Sequence, residues 1–210
     1  SDEFIAFLRN ATSMMADNVR PGAVMYLCID WGHYGELLRA THRILGDPKN
    51  LIVWAKDNAG MGSFYRSQHE LIPVFIAPGA QPTNNFKLGA RGRYRTNVWK
   101  YPGVNTLGAK REATLAMHPT VKPVALVVDA IRDCSHRGEV ILDPFGGSGT
   151  TMIAAEKTGR IARLMEVDPF YCDVIIRRFE EFTGTDAIHV DTGKSFSEVT
   201  TERSVVEVVV

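Results

Sequence analysis

The run Asp143-Pro144-Phe145-Gly146-Gly147-Ser148-Gly149-Thr150-Thr151 constrains this 210-residue chain more than any other stretch. It follows the short apolar segment Val140–Leu142 and precedes a helix-compatible stretch, Thr150–Thr158, that Gly159 closes. Glycines between a strand and a helix permit positive φ and let backbone N–H groups approach a ligand at the positive end of the helix. The segment reads as a βα unit of an open sheet, with its ligand at the carboxyl end of the strand. Any βα unit can carry Gly at its turn, so the cluster alone is a weak signal and the rest of the chain has to decide.

Strands and helices alternate along the chain. Residues 3–16 and 34–45 place apolar side chains at helical spacing, with Gly46 ending the second helix. Ala23–Ile29, Leu51–Ala55 and Leu71–Ala77 are short apolar runs suited to strands, the last two joined by the glycine-bearing loop Asp57–Gln68. A helix capped by Thr120 carries Val124, Val127, Val128, Ile131 and Cys134 on one face. Ile161–Val167 reads as a strand, Pro169–Thr183 as a helix capped by Asp168, and Ala187–Val190 as a last short strand. The rhythm predicts an α/β fold with a mostly parallel, doubly wound sheet. One domain is expected over residues 1–193, with 194–210 as a tail whose valine-rich end, Val205-Val206-Glu207-Val208-Val209-Val210, is β-prone.

Composition, 45% hydrophobic and 23% charged, is that of a globular chain. No run approaches the roughly 20 apolar residues of a membrane span, and Ser1-Asp2-Glu3 opens no signal peptide, so a soluble, cytoplasmic protein is expected. Cys28, Cys134 and Cys172 are few and far apart, which argues for reduced core thiols and against a disulfide framework or a metal site.

Three ligand classes compete for the glycine turn. A nucleoside triphosphate calls for GxxxxGK[ST], and no Lys follows Gly149 before Lys157. A dinucleotide calls for GxGxxG, and Gly147-x-Gly149 has no third glycine in place. S-adenosylmethionine needs close backbone approach to its amino-acid part and an acid at the end of the next strand for its ribose hydroxyls, and Glu166 supplies that acid. Lys122 raises the thought of a pyridoxal phosphate Schiff base, which no other residue supports.

The zero formal net charge is a sum of two opposed regions. Residues 49–111 hold ten basic side chains against Asp57 and Glu70, a balance of +8, and the remainder carries −8. A basic block with interspersed aromatics (Tyr65, Phe86, Tyr94, Trp99, Tyr101) fits phosphate engagement followed by base stacking, while a solvated surface loop fits the charges alone about as well. From Pro78 to about Met117 no period is sustained, and a loop of that length in a small domain is usually functional.

His118-Pro119-Thr120-Val121-Lys122-Pro123, the glycine run, and Glu166-Val167-Asp168-Pro169-x-Tyr171, in this order, resemble the C-terminal half of the β-class DNA amino-methyltransferases. Trp54-x-Lys56, Gly62-x-x-Tyr65 and Gln68-His69-Glu70 resemble that family's segments on the strands before the long loop, so the likeness runs over roughly residues 1–185. The resemblance implies a Rossmann-like fold and S-adenosylmethionine-dependent methylation of adenine N6 or cytosine N4 in DNA, with adenine favoured. It implies cofactor contacts by His118, Thr120, Lys122, Asp143, Phe145, Gly147, Gly149 and Glu166. Lys56, Tyr65, Arg66, Arg91, Arg93 and Arg95 are the candidate contacts to double-stranded DNA with a flipped target base. Each has a blander reading: Thr120 and Pro123 make an ordinary helix start, Phe145 a core residue and Asp143 a turn residue.

One departure matters. The family's catalytic motif, [DNS]PP[YFW], occurs nowhere in the sequence; Asp168-Pro169-Phe170-Tyr171 lacks the second proline and follows the ribose-binding strand, and Asp143-Pro144-Phe145 belongs to the glycine turn. The motif is expected upstream of Ser1, on a central strand beside that of the glycine turn, so the 210 residues alone are expected to be inactive and one strand short. The valine-rich tail is one conceivable filler of the slot. The rival readings are a non-catalytic DNA- or cofactor-binding remnant and a methyltransferase acting on RNA or a small molecule. The expected setting is prokaryotic or phage-type and DNA-associated, with a homodimer left open.

Overall fold

The computed structural model describes residues 1–88, 90, 94–103 and 121–207, with side chains described to Arg203. Along the chain run α1 (Asp2–Asp17), β1 (Val24–Tyr26), α2 (Tyr34–Leu45), β2 (Asn50–Ala55), β3 (His69–Ile76), β4 (Val98–Lys100), α3 (Val124–Cys134), β5 (Val140–Asp143), α4 (Thr150–Thr158), β6 (Ile161–Leu164), α5 (Pro169–Thr183) and α6 (Phe196–Glu207).

The α/β architecture agrees with the alternating pattern, but the sheet is mixed where a mostly parallel one was expected. The strands form a four-stranded sheet in the order β1-β3-β2-β4 and a two-stranded sheet of β5 and β6. β3 runs antiparallel to both β1 and β2, whereas β2–β4 and β5–β6 are parallel. The reason lies in Lys56–Gln68: it holds no helix, so β2 returns as a hairpin instead of crossing over.

Both faces of the larger sheet are covered. Ile52, Trp54, Ile72 and Trp99 meet Leu126 and Ala130 of α3 on one face. On the other, Met25 and Phe75 pack with Leu45, Leu38 and Ile44 of α2 and with Met15 of α1. The opposite side of α3, through Val128 and Ile131, meets Ala154 of α4 and Ile141 of β5. α3 thus serves both sheets and fixes the β5–α4 unit against the larger one.

β1 and β5 are related without being paired. Arg20, just before β1, bonds Glu139, just before β5, at 2.7 Å. Leu27 and Ile29 donate their N–H groups to the carbonyls of Pro73 and Leu71 of β3, which continues the antiparallel pairing past β1. Among the described residues, β1 pairs only with β3, and β5 only with β6.

Other expectations are corrected locally. The run Ala23–Ile29 is a strand only over Val24–Tyr26, with one further bridge at Ile29. Ala187–Val190 forms only the bridge Ile188–Ser195. The tail is helical where a β-prone end was expected: Ser195 and Glu198 form a capping box, the Glu198 N–H donating to Ser195 Oγ and the Ser195 N–H to Glu198 Oε2, which starts α6 and carries it to Glu207. Val208–Val210 lie outside the described residues, and the described tail pairs with neither β1 nor β5.

Candidate cofactor site and nucleic-acid face

The glycine turn is built by bonds that close on themselves. Asp143, at the end of β5, accepts the N–H of Phe145 (3.0 Å) and the hydroxyl of Thr151 (2.6 Å), which anchors both ends of the loop on one carboxylate. The Gly149 N–H donates to Gly146 O at 2.8 Å, and the Gly146 N–H donates to Met165 O at 2.8 Å. Gly149 caps α4 in the left-handed region with φ 77°. A Cβ there would stand 3.1–3.3 Å from three atoms of Ile175 on α5, so this position needs glycine for its backbone and for helix packing. The neighbouring Ser148 carbonyl accepts from Arg178 of α5.

Glu166 lies just beyond β6, opposite that turn. Its Oε2 accepts the Gly147 N–H at 2.7 Å, and its Oε1 accepts the N–H groups of Val167 (2.9 Å) and Asp168 (3.1 Å). A backbone donor and an oriented carboxylate therefore meet outside the carboxyl ends of two parallel strands, where open α/β sheets bind ligands. Met165, Val167 and Phe170 beside it are exposed and apolar, Val167 at 97%. Carboxylate, backbone donor and apolar flank together suit a nucleoside carrying an amino-acid chain. Phe145 is exposed rather than core, its ring meeting Phe7 of α1 edge-on at 6.1 Å. Asp168 caps α5 as expected, accepting the Phe170 N–H at 2.9 Å.

Lys122 reaches this site through its backbone: its carbonyl accepts the Thr150 hydroxyl at 3.3 Å, seating the segment before α3 on the first turn of α4. Cys28, two residues past β1, is exposed. Desolvation pushes its thiol up, Lys122 draws it down, and Glu70 and Asp143 push it up again. His118 and Thr120 lie outside the described residues.

On the nucleic-acid side the structure separates the candidates. Lys56 is ion-paired with Glu70 at 2.7 Å and lies over the Trp54 ring. Arg66 donates to the carbonyls of Ala59 (2.6 Å) and Gly60 (3.2 Å), pinning the β2–β3 loop from within. Arg95 pairs with Asp133 and Asp129 of α3 and lies 4.2 Å above the Trp99 ring centroid. These three cations therefore have internal partners. The tip that Arg66 pins presents Met61, Phe64 and Tyr65, 80–93% exposed. Arg91 and Arg93 lie outside the described residues. Sequence reasoning missed Ile175 and Arg178; their spacing of three puts both on one face of α5, which was the available signal.

The sequence model of the family described as DNA methylase matches residues 1–177, and the chain belongs to that family. The DNA adenine methyltransferase YhdJ of Escherichia coli (strain K12) is 32% identical over 155 residues, covering 70% of this chain and 46% of YhdJ. Among solved structures, the PvuII DNA methyltransferase (cytosine-N4-specific) superposes with a TM-score of 0.70 at 15% identity, over 85% of this chain and 71% of that one. The M1.HpyAVI–SAM complex gives 0.61 at 20% identity, over 82% of each chain. The chain spans about a third to a half of the length of the curated relatives it matches.

Proposed function

We propose that residues 1–210 form the cofactor- and DNA-engaging part of an S-adenosylmethionine-dependent DNA amino-methyltransferase. The observation that carries this reading is the Glu166 carboxylate bonded to the Gly147 N–H across the ends of β5 and β6. When bound, S-adenosylmethionine supplies an electrophilic methyl group. Glu166 would hold the ribose hydroxyls as a charged acceptor, while the positive end of α4 would hold the ligand's carboxylate. Met165, Val167 and Phe170 provide the apolar flank of the adenine end, and Phe145 and Asp143 keep the turn in shape. Tyr65 and residues 78–117, with Arg91 and Arg93, face the DNA. Adenine N6 is the favoured target, supported by the likeness to YhdJ. A bacterial, cytoplasmic setting is in keeping with that relative, and among the described residues no helix is long and apolar enough to cross a membrane.

A strand carrying [DNS]PP[YFW] would stand between β1 and β5, joining the two sheets beside the glycine turn. Its polar side chain and proline carbonyl would hold the exocyclic amine of the flipped base. Methyl transfer from tritiated S-adenosylmethionine to duplex DNA tests this, comparing residues 1–210 with the same chain fused at Ser1 to the motif-bearing strand of a relative. No transfer is expected from the first and transfer to adenine from the second. Transfer by residues 1–210 alone would refute the slot assignment; a fusion that binds cofactor and DNA but stays inactive would point to a remnant.

A further inference from the structure

Arg95 belongs by sequence to the basic segment, yet its surroundings are those of a joint. It sits just before β4, where that segment re-enters the sheet. Nε stands 3.4 Å from Asp133 Oδ2, Nη1 3.7 Å from Asp129 Oδ2, and the guanidinium plane covers Trp99. Nη2 is shut away from solvent without a partner among the described residues, so it cannot reach a phosphate while the joint holds. Tyr101 adds to the joint by donating its hydroxyl to Asp129, and its carbonyl accepts the Trp54 indole N–H at 3.0 Å. The departing end of the same segment is tied to the same helix. Asn85 donates through its side chain to the carbonyls of Arg132 (2.9 Å) and Ser135 (2.7 Å), and its N–H donates to Asp133 O at 2.9 Å. Asn85 and Arg95, which flank residues 86–94 of the basic segment, thus both grip the C-terminal half of α3, whose other face packs on α4 behind the glycine turn.

We propose that Arg95 is a positioning residue that locks the basic segment onto α3 and so sets its register against the cofactor turn. The inference rests on the reading of that segment as a DNA-facing surface. It differs from direct phosphate contact in the sign of one effect. If Arg95 met phosphates, removing the acids that hold it would free a cation and tighten DNA binding. If Arg95 is a joint, removing an acid loosens the segment and weakens binding.

The test is fluorescence anisotropy of a labelled 30-base-pair duplex titrated with wild type, Asp133→Asn, Arg95→Gln and Arg95→Lys at several salt concentrations. Asp133→Asn is close to isosteric, and circular dichroism melting checks that each variant folds. Asp133→Asn and Arg95→Gln should each weaken binding about three- to tenfold with the salt slope unchanged, and together no more than either alone. Arg95→Lys should fail to restore affinity, because an ammonium neither stacks nor spans two carboxylates. Tighter binding by Asp133→Asn, rescue by Lys, or a slope reduced by about 0.9 in Arg95→Gln would overturn the proposal. Amide hydrogen exchange without DNA separates the two readings: faster exchange at residues 96–101 in both variants with no duplex binding by wild type would retain the joint and refute the DNA-facing surface. Unchanged exchange there would refute the joint itself.

Discussion

Replacing Gly149 with alanine probes whether the glycine turn is held by backbone geometry and by α5 together. Gly149 has φ 77°, and left-handed backbone costs an alanine about 1–2 kcal/mol, offset by about 0.4–1 kcal/mol from the stiffer unfolded chain. The new methyl would meet Ile175 Cγ1, Cγ2 and Cα at 3.1, 3.2 and 3.3 Å, which forces a small displacement of a buried side chain at about 1–2 kcal/mol. Gly149→Ala should therefore destabilise by roughly 2–3 kcal/mol. Gly138 supplies the internal control, since it has φ 81° and nothing within 4 Å of its virtual Cβ; Gly138→Ala should cost only about 1 kcal/mol. Urea unfolding followed by circular dichroism measures both. In an Ile175→Ala background the two glycine substitutions should cost nearly the same. Equal costs in the wild-type background, or no change in the Gly149→Ala cost on removing the Ile175 side chain, would refute the role given to α5.

Further outcomes follow from the same contacts. Glu139 is held below the usual carboxylate range first by the His136 N–H and then by Arg20, so its contribution is present above pH 4.5 and lost as pH falls through its depressed value. Glu139→Gln should flatten that acid limb of stability by at most about 1 kcal/mol, and an unchanged pH profile would remove the Arg20–Glu139 link from the energetics. Asp168→Ala deletes the α5 cap and should cost about 1 kcal/mol in the same urea assay; a cost near zero would mean that Pro169 alone starts the helix. Arg91→Gln combined with Arg93→Gln should lower the salt slope of duplex binding by nearly two, whereas Tyr65→Ala should weaken binding with the slope unchanged. An unaltered slope in the double variant would argue against phosphate contact at those positions.

What was legible in the sequence is what local chemistry determines. The turn from β5 into α4, the Asp168 cap and the glycine that ends α4 are each specified by residues within a few positions, and each stands where periodicity and capping rules put it. Strand direction was misread because the helix-free Lys56–Gln68 connection was not taken as a hairpin, and β3 was inserted between β1 and β2. The tail was misread because valine's β propensity was weighed above the Ser195–Glu198 capping box. At the candidate site, the glycine turn and the acid after the next strand were read from their places in the strand–helix pattern, while Ile175 and Arg178 contact the turn from a helix beyond the motif. Charge counting was the least reliable guide: Lys56, Arg66 and Arg95 belong to the basic block by sequence, yet Glu70, two backbone carbonyls and the acids of α3 already engage them. Long side chains fold back onto the body, and only the tertiary structure says which do.

The glycine turn and Glu166 are proposed to hold S-adenosylmethionine. Isothermal titration of S-adenosylmethionine into residues 1–210 tests it directly, with Glu166→Gln and Asp168→Ala in parallel. One-to-one binding is expected, weakened about ten- to a hundredfold by Glu166→Gln through loss of the charged acceptor and left within about threefold by Asp168→Ala, whose role is to cap α5. Absence of binding by the folded wild-type chain, or equal affinity for wild type and Glu166→Gln, would contradict it.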